Sequence, residues 1–136
     1  MYLVDTSVWI DYLRGRAGPH VDFLDSLLAH PLAVGLSEVI YLEILQGARD
    51  VEAFERLRRY FSSQRFYGFA DSRQSYEAAA RLFLDCRRQG ITVRSTLDCL
   101  IAQCALENAL VLLHNDRYYL ALGQCAPALR QKHFLD

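Results

Sequence analysis

Only one lysine, Lys132, stands among the 15 basic residues of this sequence; the other fourteen are arginines. Sixteen acidic residues leave a net charge of −1, which excludes a polycation that coats nucleic acid by charge alone. The cysteines are few, Cys86, Cys99, Cys104 and Cys125, and none form a Cys-x-x-Cys pair, which argues against a zinc knuckle. They read as reduced, mostly buried thiols. No apolar run approaches the ~20 residues that span a bilayer. The opening Met1-Tyr2-Leu3-Val4-Asp5 lacks the basic segment of a signal peptide, so the expectation is a cytoplasmic protein with no membrane partner. Internal repeats, low-complexity blocks and long linkers are also missing. The arginine excess suits bidentate phosphate contacts, and an arginine-rich codon bias accounts for it equally well.

What the chain does have is core material. Hydrophobic residues make up 52% of 136 positions, enough for one compact domain over 1–136. Leu3-Val4 begins a short strand ending at Asp5. Thr6-Ser7 then opens a helix with Val8, Trp9, Ile10 and Leu13 facing inward, broken by Gly15 and Gly18-Pro19. A second helix is expected over Val21 to Ala29, and a strand over 32–36. Ser37 caps a helix over 38–46 with Gly47 as its C-cap, and Asp50 opens another to about Ser62. Residues 66–69 read as a strand. Asp71 and Gln74 have capping-box spacing at the start of a long helix that Gly90 stops. Ser95 or Thr96 caps a helix to about Asn108, 109–113 is an apolar strand, a short helix follows Asp116, and the tail is irregular or one edge strand. Short strands alternating with helices predict an α/β fold, a central parallel sheet covered on both faces. Ligands of such sheets lie at the carboxyl ends of the strands.

Four acids sit where the pattern calls for apolar residues: Asp5, Glu43, Asp98 and Asp116. Asp5 and Asp116 each follow an apolar strand, where helix capping is the competing explanation. Glu43 shares a helical face with Val39, Ile40 and Gly47, although a stripe-edge carboxylate reaching solvent fits the same spacing. Asp98 lies above Ile101, Ala102 and Ala105, and Ser95-Thr96-Leu97-Asp98 also has the form of a capping box. Together, all four can be placed at one sheet edge. Clustered carboxylates repel unless cations neutralise them, and hard divalent cations take oxygen ligands. Mg²⁺ or Mn²⁺ is therefore expected, lowering the pKa of a bound water for attack on a phosphodiester.

Other residues carry less. His20, His30, His114 and His133 are scattered, and His114 reads as structural. Asp11 and Asp22 fall on expected solvated faces. Arg56, Arg58 and Arg59 form a basic patch that reads first as wet surface. Arg94 and Arg117, nearest the acids in sequence, are the expected phosphate contacts.

The segments Val4-Asp5-Thr6-Ser7-Val8-Trp9-Ile10, Glu43-Ile44-Leu45-Gln46-Gly47, Thr92-Val93-Arg94-Ser95-Thr96-Leu97-Asp98-Cys99-Leu100-Ile101-Ala102 and Leu112-Leu113-His114-Asn115-Asp116-Arg117 resemble, in order and spacing, a PIN domain. Within that group they resemble the VapC-type ribonuclease toxins of type II toxin–antitoxin pairs. The resemblance implies a PIN-like three-layer α/β/α sandwich and Mg²⁺-dependent endonucleolytic cleavage of RNA. It implies a catalytic set of Asp5, Glu43, Asp98 and Asp116, with Asp5, Asp98 and Asp116 on the metal. Thr6, Ser7 and Asn115 would support that set by hydrogen bonding. A VapB-like antitoxin protein laid over the acidic site, and a homodimer, are implied too. RNA processing without an antitoxin, and a noncatalytic RNA- or protein-binding module, remain as alternatives. A phosphotransfer domain also places Asp at strand ends, but it needs a nearby lysine, and Lys132 lies in the tail.

Overall fold

The computed structural model describes residues 1–136. Five parallel strands form one sheet in the order β3-β2-β1-β4-β5. They are β1 (Tyr2–Val4), β2 (Val34–Leu36), β3 (Arg65–Phe66), β4 (Val111–Leu113) and β5 (Gln131–Lys132). Seven helices connect them: α1 (Thr6–Leu13), α2 (Pro19–Leu28), α3 (Glu38–Gln46), α4 (Val51–Phe61), α5 (Ser72–Arg88), α6 (Thr96–Glu107) and α7 (Arg117–Cys125).

The chain moves outward from β1 through β2 to β3, then returns to β4 and leaves the other way to β5. Right-handed crossovers put helices of opposite travel on opposite faces. Thus α1 to α4 cover one face and pack on one another, while α5 packs on α6 and α7 on the other. This is the α/β/α sandwich expected from the sequence. The order reverses between β1 and β4, whose register pairs Val4 with Leu113. A crevice therefore opens at the carboxyl ends of these two strands. Leu3, Val4, Leu112 and Leu113 are fully buried, as central strands covered on both faces require.

Several boundaries differ from expectation. Helix α2 starts at Pro19, because proline's fixed φ and missing N–H suit a first helical position. Strand β3 is Arg65–Phe66 rather than 66–69; after Tyr67 donates its N–H to Leu36 O, the chain leaves the sheet. Gly35 in β2 makes room for the Tyr67 ring, which a Cβ there would strike. Gly47 ends α3 at φ −78°, without a left-handed turn. Strand β4 begins at Val111, because Ala109 is left-handed at φ 53°. Leu110 N–H bonds back to Ala105 O and Ala109 N–H to Leu106 O, a Schellman ending of α6. The same motif ends α5, with Gly90 at φ 73°. Asp11 is largely covered rather than solvated, since Arg16 and His20 close on it at 3.0 and 2.8 Å. All four cysteines are free thiols, as expected. No helix is long and apolar enough to cross a membrane.

Candidate active site

The switch-point crevice gathers Asp5, Glu43, Asp98 and Asp116 from four different elements. Asp5 follows β1 and is 4% exposed; Asp98 lies in the first turn of α6 at 3%. Glu43 comes from the middle of α3, and Asp116 precedes α7 with its side chain 9% exposed.

Capping and clustering turn out to be compatible. Asp5 Oδ2 accepts from Ser7 N–H at 3.0 Å, capping α1, and from Ser7 Oγ at 2.6 Å. Its Oδ1 accepts from the Tyr119 hydroxyl at 2.9 Å. Asp116 likewise caps α7 through Oδ1, accepting from Tyr118 N–H, while Oδ2 receives Arg94 Nη2 at 2.7 Å. Asp98 behaves differently from the capping box its sequence suggested. Ser95 caps α6 alone, and the Asp98 carboxylate turns into the crevice. Its Oδ1 lies 3.4 Å from the Tyr119 hydroxyl and 3.7 Å from Arg94 Nη2. Its Oδ2 is buried with no hydrogen-bond partner.

The supporting residues are in contact with the acids. Thr6 Oγ1 donates to Glu43 Oε1 at 2.7 Å. Ser7 Oγ, while donating to Asp5, accepts the Asn115 backbone N–H at 3.0 Å, so Asn115 helps through its main chain. A continuous path runs from Asp5 through Tyr119 to Asp98, then through Arg94 to Asp116. Arg117, next in the chain to Asp116, donates to the Asp136 carbonyl rather than to any of the four acids.

Burial and mutual repulsion set the charges. Loss of water pushes the Asp98 carboxyl up to about 6; Arg94 opposes the rise, and Asp5, Asp116 and Glu43 add to it. Burial also raises Glu43, with the Thr6 hydrogen bond opposing and the Asp5 charge adding. Burial lowers His114, whose Nδ1 accepts the Asp116 N–H at 3.2 Å. A backbone N–H can only donate, so the imidazole is neutral and its Nε2–H donates to Gln131 Oε1 at 2.7 Å. His114 is structural, as its place after a core strand suggested.

The donor set is all carboxylate oxygen, which fits a hard divalent cation, and the unpartnered Asp98 Oδ2 supplies a buried negative atom for one. No three His, Cys, Asp or Glu side chains are arranged as ligands of one ion, and Arg94 lies beside Asp98 Oδ1 and Asp116 Oδ2. A cation at Asp116 Oδ2 would compete with Arg94 for that oxygen. The Arg94 side chain is 53% exposed and lies over the Tyr118 ring at 5.4 Å, so it has room to move aside.

The sequence matches the PIN domain over residues 2–123. The chain belongs to the PIN-domain family. It is 34% identical over 117 residues to the VapC ribonuclease Mb1587 of Mycobacterium bovis, spanning 85% of this chain and 87% of that one. Its fold is similar to VapBC2 from Rickettsia felis bound to a DNA fragment from their promoter, with a TM-score of 0.75, 15% identity and 98% of both chains covered. DNA-bound VapBC from Salmonella typhimurium is also similar, with a TM-score of 0.73, 19% identity, and 97% and 96% covered. At these identities the solved structures speak for the PIN fold. Tyr119 is the site residue missed in the sequence. Its signal was its place three residues after Asp116, on the same inward helical face as Leu122.

Beside the acids lies a groove of about 1000 Å³ between α1, α3 and α4. Ile10, Leu13, Ile44 and Leu57 give it an apolar lining, Arg14, Arg49 and Arg59 border it, and Glu43 joins it to the acidic cluster.

Proposed function

We propose that this PIN domain, over 1–136, is a Mg²⁺-dependent endoribonuclease, the toxin of a toxin–antitoxin pair, and that Asp5, Glu43, Asp98 and Asp116 are its catalytic set. The observation carrying this reading is the convergence of four acids at one switch point, with a buried carboxylate oxygen lacking any partner. Similarity to a named VapC ribonuclease supports RNA as the substrate. Asp5, Asp98 and Asp116 would hold the ion, Mg²⁺ or Mn²⁺. Once bound, it would supply an acidified water and neutralise charge on the phosphodiester. Glu43, held by Thr6, would orient a water or hold a second ion. Ser7 fixes Asp5 through two hydrogen bonds. Arg94, once freed from the acids, would meet a phosphate of the RNA.

Similarity to VapBC complexes supports an antitoxin partner. The groove that meets the acids at Glu43 suits an amphipathic segment carrying acidic side chains, since its lining is apolar and its border is arginine. A homodimer is part of the same proposal.

The test is cleavage of single-stranded and structured RNA with Mg²⁺, Mn²⁺ or EDTA. Cutting should need a divalent cation and should vanish in Asp5→Asn and Asp98→Asn. Cutting that survives both substitutions overturns the assignment of these acids. Copurification with the product of a short neighbouring gene tests the toxin role.

A further inference from the structure

The hydroxyl of Tyr119 is the one group hydrogen-bonded to both Asp5 and Asp98. It lies 2.9 Å from Asp5 Oδ1 and 3.4 Å from Asp98 Oδ1. The residue is fully buried, so no water competes for those contacts. A phenol carries a single proton, which satisfies one carboxylate oxygen fully and leaves the other underserved. Asp5 is already held at Oδ2 by two donors from Ser7, whereas Asp98 Oδ2 has none.

The ring is itself fixed. It packs on the His114 imidazole at 5.0 Å between centroids, and His114 is clamped between Gln131 Oε1 and the Asp116 N–H. The Tyr119 N–H bonds to the Asp116 carbonyl at 3.1 Å, tying the start of α7 to the same unit. Strands β4 and β5 thereby hold the hydroxyl in place between two acids that come from β1 and α6. The phenol oxygen sets how near those acids come and which way Asp5 Oδ1 points. An ion held by both acids meets a gap of that width, and cations differ in the oxygen distances they require.

We propose that Tyr119 is a positioning residue that fixes the Asp5–Asp98 separation and so governs how tightly, and with what preference, the acidic cluster takes a divalent cation. This rests on the metal-dependent reading above. It assigns the phenol no contact with RNA and no bond to the ion.

Calorimetric titration of metal-free protein with Mn²⁺ and with Ca²⁺ tests it without any activity measurement. The comparison is wild type, Tyr119→Phe, and Tyr76→Phe, whose ring is half exposed on α5 and far in sequence from the acids. Groups that orient metal ligands typically change affinity about 10–100-fold when removed. Tyr119→Phe should weaken Mn²⁺ binding about tenfold and change the Mn²⁺/Ca²⁺ ratio, with its circular dichroism unchanged. Tyr76→Phe should match wild type. Equal Mn²⁺ affinity and an equal ratio in Tyr119→Phe and wild type overturn the proposal while leaving the nuclease reading intact. A wild type that binds neither ion overturns both. If Tyr119→Phe loses its fold, the wild-type ultraviolet difference spectrum decides. Mg²⁺ should perturb the band of a buried tyrosine whose acceptors have gained a cation, and a spectrum unmoved at millimolar Mg²⁺ overturns the proposal.

Discussion

Arg94 and Asp116 form the closest ion pair of the acidic crevice, Nη2 to Oδ2 at 2.7 Å, and the same nitrogen reaches Asp98 Oδ1 at 3.7 Å. The chain thus carries its own counter-ion for carboxylates that would otherwise repel one another. Burial works against the charge on Arg94, and Asp98 and Asp116 outweigh it. A divalent cation at those acids competes with this guanidinium for the same oxygens.

Replacing Arg94 with Gln should therefore move two quantities in opposite directions. The metal-free protein should melt at a lower temperature, since the acids lose their neutralising partner. Half of the Arg94 side chain is exposed, so the cost stays near 1 kcal/mol. Mn²⁺ affinity measured by calorimetry should rise several-fold, because nothing has to be displaced. RNA cleavage at saturating Mn²⁺ should fall if the freed arginine meets phosphate. An Arg94→Gln protein that binds Mn²⁺ more weakly than wild type would show the guanidinium to be a support of the cation site rather than its competitor.

Asp98 gives the metal-free fold a pH dependence of definite sign. Its carboxyl titrates at about 6 when folded, against an ordinary value of 3.8. A raised folded value means the folded state holds its proton more tightly. The stabilising contribution is fully present below 3.8 and is lost as pH rises through about 6. The span corresponds to roughly 2–3 kcal/mol. Metal-free wild type should show a falling melting temperature over this range, and Asp98→Asn should flatten the fall while abolishing cleavage. Added Mg²⁺ should raise the melting temperature more at pH 7.5 than at pH 5, because a proton and an ion compete for one carboxylate. An Asp98→Asn protein with an unchanged pH profile would remove Asp98 as the source.

The acids themselves were readable because each broke a pattern. Asp5 and Asp116 ended apolar strands, while Glu43 and Asp98 stood on apolar helical faces. Their conjunction depended only on parallel-sheet topology, which short alternating elements already imply. Tyr119 was not readable in the same way, since an aromatic on an inward helical face looks like core, and it is core except at its hydroxyl. Arg94 lies in the segment between α5 and α6, where no periodicity says which way a side chain turns. Asp11 is covered by His20 from the next helix, which the periodicity of its own helix does not show. The aromatic run 66–69 suggested a longer strand than the two residues that pair.

Ala109 offers a stability test away from the chemistry. It is exposed and left-handed at φ 53°, in the position that Gly90 occupies at the end of α5. An L-residue in that conformation costs roughly 1–2 kcal/mol, partly offset by glycine's greater freedom in the unfolded chain. Ala109→Gly should gain about 0.5–1 kcal/mol in urea unfolding. Its cation affinity should remain that of wild type. Substitution by Val, β-branched and poorly suited to positive φ, should destabilise. A glycine variant less stable than wild type would mean that strain at this turn is smaller than the entropy glycine adds.

Thr6 connects the helix cap to Glu43. Its hydroxyl donates to Glu43 Oε1 at 2.7 Å, and that bond holds the carboxyl down against a burial that pushes it up. Thr6→Val keeps the shape and removes the donor. Glu43 should then titrate higher still, so that less of it is ionised near neutral pH. If Glu43 accepts the proton of the attacking water, the acid limb of the cleavage profile should move to higher pH. Activity at pH 7 should drop, and activity at pH 9 should recover much of the loss. The stability cost should stay near 1 kcal/mol, since Glu43 is half-buried and water can replace the lost donor. A uniform loss of rate across the whole pH range would instead assign Thr6 to the geometry of Glu43 rather than to its charge.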